Sequence, residues 1–209
     1  MNYLWSSLTR SQLSKRFPLF YPSNEPSAIP ISIPLLFRDA IHVYTCALVL
    51  RQLQIYRSTK NVYQGISTTC TALIVMAISF GIFTYACSCY NLPAKDSGRF
   101  GIFFVEHVNY MWVIANIVQS AKYVPQICLN WMGLCTKGVS SKYIFLSLFS
   151  EIAVGLGSAL LLQGTEFYKK PYNFIPAFVS LSNVLCLSYM FYQAQYLYQG
   201  KKPYLPRGK

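Results

Sequence analysis

The feature of this sequence that most limits its fold is a set of long apolar stretches with almost no charge. Ile66 to Tyr90, Val108 to Ala121 and Asn173 to Gly200 carry no charged residue, and Tyr143 to Thr165 carries one, Glu151. A helix needs about 20 mainly apolar residues to cross the hydrocarbon core of a bilayer. A water-soluble fold would have to wrap these runs in a polar shell. With 54% hydrophobic and only 11% charged residues there is too little polar surface to do so. The chain therefore reads as an all-α, polytopic membrane helix bundle with the lipid bilayer as its solvent.

Five transmembrane helices are expected, at about Leu35–Tyr56, Ile66–Tyr90, Ile102–Trp131, Ser140–Gln163 and Tyr172–Gln199. The third is long enough to need tilt or a kink. The transmembrane bundle thus covers 35–199, followed by a basic cytosolic tail at 200–209. Residues 1–34 differ in kind. Proline recurs at Pro18, Pro22, Pro26, Pro30 and Pro34, too densely for a continuous helix. Basic and hydroxyl residues precede any acid there, so the segment reads as a disordered or targeting tail, the latter of mitochondrial type.

The net charge is +12. Because the basic residues lie between and beyond the apolar runs, the pattern is that of membrane flanks, and nucleic acid is set aside as a partner. Lys and Arg in short loops set orientation. Arg57, Lys60, Lys137, Lys142 and the tail residues Lys201, Lys202, Arg207 and Lys209 fall on one side. Lys95, Arg99, Lys169 and Lys170 fall on the other. The richer side should face the cytosol, although Arg10, Lys15, Arg16 and Arg38 add to the poorer one. The seven cysteines lie mostly in or beside apolar runs and read as small buried hydrophobes.

Two segments share a pattern: RQLQIYRSTKNVYQGIS, from Arg51 to Ser67, and PQICLNWMGLCTKGVS, from Pro125 to Ser140. Each has a Gln near a helix end, then a basic loop leading to Gly, a β-branched residue and Ser, with Ser67 or Ser140 placed to cap the next helix. The string Lys122-Tyr123-x-Pro125-Gln126-x-x-x-Asn130 resembles the motif of the PQ-loop family, and its cystinosin-like branch in particular. The resemblance covers about Asn116 to Ser140 and extends more loosely to Arg51–Ser67. It implies a small-solute transporter built from two three-helix bundles, with the motif loops facing the cytosol. On that reading repeat 1 is about 35–90 and incomplete, and repeat 2 is about 102–199. Arg51 stands where the family has Pro, and Ser147 stands where cystinosin-like members carry a protonatable Asp.

Pro125 lacks an amide hydrogen and should loosen the helix one turn earlier, which makes it a candidate hinge. Gln126 and Asn130 are spaced i, i+4 and share a helical face, with Lys122 four residues before Gln126. Together with Tyr123 they form a polar strip able to line a solute path, in which the Lys122 ammonium would meet a solute carboxylate. Asn183, in mid-helix 5, is a further hydrogen-bonding candidate. Ionisable groups within membrane helices often mark proton or ion paths. Glu151, Glu106 and His107 are the candidates for proton coupling, with Glu106 and His107 near the outer end of helix 3. For each of these residues the alternative is structural: a kink, a snorkelling lysine or interhelical glue. Gly155 and Gly157 would permit close helix packing.

The leading expectation is transport of an amino acid or similar zwitterion by alternating access, in a vacuolar, lysosomal or other endomembrane. One alternative is a sorting receptor of the KDEL-receptor type, whose tail the C-terminal GKKPYLP resembles. Another is a non-transporting membrane subunit, with the mitochondrial inner membrane as its alternative location. A homodimer would complete the walls that the first repeat lacks. No phosphate loop, metal-ligand spacing or nucleophile elbow is present, so no enzymatic activity, cofactor or metal is expected.

Overall fold

In the computed structural model the described residues are 7–23, 30–56, 68–90, 98–136, 139–163, 166 and 169–201. All regular structure among them is helical. The helices are α1 (Ser7–Arg16), α2 (Ile33–Ile55), α3 (Thr68–Ser88), α4 (Phe104–Ser120), α5 (Val124–Gly133), α6 (Ser141–Leu162) and α7 (Ala177–Tyr192). A 3-10 turn at Arg99–Gly101 precedes α4, and a π-helical turn at Gln193–Leu197 continues α7. Four helical stretches are long and apolar enough to cross a membrane: Ile33–Ile55, Thr68–Ser88, Arg99–Gly133 and Ser141–Leu160. The protein is a membrane protein on this ground. The expected fifth span is shorter than its sequence suggested. α7 has 16 residues, and the helical path begins at 177 rather than 172. Pro171 and Pro176 account for the late start, since a residue ahead of proline is driven out of the α region, and Pro176 is itself extended, with ψ 145°.

The chain divides into two compact units, Met1–Trp112 with Glu166–Phe174, and Val113–Thr165 with Ile175–Lys209. In the first unit, α1 lies within the segment expected as a tail and before its first proline. Its Leu13 is buried against Val105, with Tyr21 and Tyr172 packed beside them. Arg16 ion-pairs with Glu106, hydrogen-bonds the Gly101 carbonyl at 3.2 Å and lies 4.1 Å from the centre of the Phe103 ring. The stretch before α2 is stitched to residues 172–173. The Tyr172 amide donates to the Pro30 carbonyl at 2.8 Å, and Asn173 bonds both backbone groups of Ser32 at 2.9 Å. α2 starts with Pro34 in its first turn, where a missing N–H costs nothing. None of its residues is buried.

In the second unit α6 packs along α7, and α5 also contacts α7. The core is Ile144, Leu187 and Met190, ringed by Tyr123, Ile127 and Leu148 among others. Gly155 is a close-approach position: a Cβ there would lie 3.5 Å from the Ser180 Cβ. Gly157 faces open space and has no such role. Ser140 occupies the cap position of α6 but makes no side-chain capping bond. Ser67 and most of the first repeat's loop lie outside the described residues. The cysteines also differ from expectation. All seven are free thiols, but only Cys87 is buried, while Cys46, Cys70 and Cys128 are exposed on their helices.

Candidate functional site

The expected third span is broken where the sequence places Pro125. α4 ends at Ser120, and α5 restarts at Val124 after a turn. Pro125 has no N–H for the carbonyl of Ala121. The Val124 amide takes that carbonyl instead, at 3.1 Å. The freed backbone group is therefore Ser120 C=O, one residue earlier, and the Ser182 hydroxyl of α7 donates to it at 2.8 Å. A backbone polar group at membrane depth must find such a partner.

Two polar clusters flank the break. The Lys122 ammonium bonds the Glu151 carboxylate of α6 at 2.7 Å and lies 4.8 Å from the centre of the Tyr123 ring. The two charged side chains keep only 30% and 15% of their exposure. Beyond the break, Gln126 Nε2 donates to Asn130 Oδ1 at 2.9 Å, and Asn130 Nδ2 donates to Gln193 Oε1 at 3.0 Å. Gln193 Nε2 in turn reaches the Ile127 carbonyl at 3.4 Å. Asn130 and Gln193 are buried. The expectation that Lys122 and Gln126 share one continuous face is corrected here. The broken helix leaves Lys122 in the turn, where Glu151 already occupies the position foreseen for a solute carboxylate.

Asn183 is fully buried in α7, and neither atom of its amide has a hydrogen-bond partner. An unpaired buried amide is costly, and native proteins rarely keep one without a use. Glu106 and His107 lie in the first unit and have their partners within it. Glu106 holds Arg16 and accepts from the Phe103 amide at 2.9 Å, as a carboxylate in the first turn of a helix should. His107 Nδ1 is 2.9 Å from the Thr84 hydroxyl, and its ring sits edge-on to Tyr85. Gln193 was missed in the sequence. It lies in a charge-free stretch, and it is buried where it opens the π-helical turn. No group of three or more potential metal ligands occurs among the described residues.

The sequence is 48% identical, over all 209 residues, to the uncharacterized protein YCL002C of Saccharomyces cerevisiae (strain ATCC 204508 / S288c). The match covers the whole of this chain and 80% of the yeast protein. The chain belongs to that protein's family. No family model matches the sequence, and no solved structure matches it.

Proposed function

We propose that this protein carries a small zwitterionic solute, such as an amino acid, across an endomembrane by alternating access. The observation that carries this reading is the grouping, beside a proline break in otherwise apolar helices, of an ion pair and a three-amide chain: Lys122–Glu151 and Gln126–Asn130–Gln193. Polar groups in membrane helices are expensive and are kept where they serve a path or a partner. A zwitterion can exchange with such a site without net desolvation of charge. Its carboxylate replaces Glu151 on Lys122, and its ammonium takes the released Glu151. The break at Pro125 supplies the discontinuous helix on which transporter sites are commonly built. Resemblance of the Lys122–Asn130 string to the PQ-loop motif supports the same reading. The solute, the proton coupling and the organelle belong to this proposal.

The competing reading is a non-transporting membrane subunit. What favours it is the mutual saturation of Gln126, Asn130 and Gln193, which suits interhelical glue as well as a path. Uptake of radiolabelled amino acids by vesicles holding the purified protein separates the two. Transport predicts saturable flux that falls at least tenfold in Lys122→Ala and in Glu151→Gln. A folded protein with no flux for any amino acid refutes it.

A further inference from the structure

The first unit holds a cavity of about 410 Å³ that the transport reading does not use. Its walls are aromatic: Phe17 and Tyr21 following α1, Trp112 of α4, and Tyr172 and Phe174 of the segment before α7. One cation, Lys170, stands among them. The volume is that of a small-ligand pocket. Trp112 is the ninth residue of α4, roughly 12 Å along its axis from Phe104. The cavity thus meets α4 at Asn109 and Trp112, in its second and third turns, and joins a mainly aromatic wall to one cation, which is the profile of an amphiphile rather than of a compact polar solute.

The ion pairs say what charge the head should carry. Each of the four carboxylates among the described residues already has a cation: Asp39 with Arg38, Glu106 with Arg16, Glu151 with Lys122 and Glu166 with Lys169. Lys170 is half-buried and has no carboxylate partner among the described residues. The geometry points to a binding site for one anionic phospholipid, its phosphate on Lys170 and an acyl chain among the rings of Phe17, Trp112 and Phe174. Charge-assisted bonding to phosphate oxygens and burial of alkyl surface against aromatic faces supply the affinity.

Trp112 makes the site observable. In a Trp5→Phe/Trp131→Phe protein it is the sole tryptophan. That protein, in mixed micelles, is titrated with phosphatidylglycerol or phosphatidylcholine brominated on the acyl chain. Expected is saturable quenching at low mole fraction for the anionic lipid only. Unbrominated phosphatidylglycerol should reverse it, and Lys170→Gln, but not Lys169→Gln, should weaken it at least fivefold. Native mass spectrometry should show phosphatidylglycerol retained on the unaltered protein and lost from Lys170→Gln. Equal quenching by both lipids, or a Lys170→Gln protein that behaves as its parent, overturns the site. A brominated fatty acid that quenches as well at the same mole fraction overturns the phospholipid as its occupant.

Discussion

Replacing Asn183 by leucine should make this protein more stable, whereas the same replacement at Asn130 should make it less so. Both side chains are buried amides, with Asn183 at 0% and Asn130 at 2% exposure, and leucine has the same number of side-chain heavy atoms, branched at the same carbon, as asparagine. They differ in partners. Asn183 has none, so leucine removes a desolvated amide and gains apolar burial, a change of about 1–3 kcal/mol in favour of the fold. Asn130 accepts from Gln126 and donates to Gln193, and leucine would strand the buried Gln193 oxygen at a cost of about 1–3 kcal/mol. The two variants should therefore differ by roughly 2–6 kcal/mol, or on the order of 10 °C in melting temperature for a chain of this size. Thermal unfolding followed by tryptophan fluorescence in a mild detergent reads this directly. If Asn183→Leu melts at or below the unaltered protein, the premise that its amide is unpaired is refuted. A variant that is both more stable and inactive in flux would identify Asn183 as a solute ligand retained at the expense of stability.

Exchanging the charges tests the ion pair. Glu151→Gln alone should cost about 1–3 kcal/mol, since it leaves Lys122 partly buried without its anion, and Lys122→Glu/Glu151→Lys should recover most of that in the same melting assay. Alkaline stability should depend on Tyr172. Burial pushes its phenol well above the usual range, with the nearby Tyr21 phenol adding to the effect. Because the folded state holds this proton more tightly, the stabilisation is complete below about pH 10 and is lost as pH rises further through the folded value. Tyr172→Phe should flatten that loss in a pH series of melting curves. Leu134 closes α5 with φ 48°, a conformation that costs a side chain roughly 1 kcal/mol, so Leu134→Gly should raise the melting temperature by a few degrees.

Much of the helical layout follows from local rules visible in the sequence. The charge-free runs gave α3, most of α4, and α7, and Pro125 broke the third span because no side chain can restore its missing amide hydrogen. Which carbonyl the break would release was not visible, because it depends on whether Val124 bonds to Ala121 or to Ser120. The ends of α7 were misjudged for a similar reason. Hydropathy ran unbroken from Asn173 to Gly200, while Pro176 and the π-helical turn altered the backbone without altering that pattern. The pairing of Lys122 with Glu151, and the docking of α1 through Leu13 and Arg16, join residues far apart in the chain, and spacing along one helix carries no record of them.

The wide turn at Gln193–Leu197 has a consequence for everything after it. At 3.6 residues per turn Tyr198 would lie roughly 80° around the axis from Met190. The Tyr198 amide instead bonds the Gln193 carbonyl, five residues back, at 2.9 Å, and both Met190 and Tyr198 end up buried. These five residues work as a phase corrector: adding or removing one at 195–197 would swing Tyr198 outward while leaving the bonds of Gln193 and the packing of Ala194 in place.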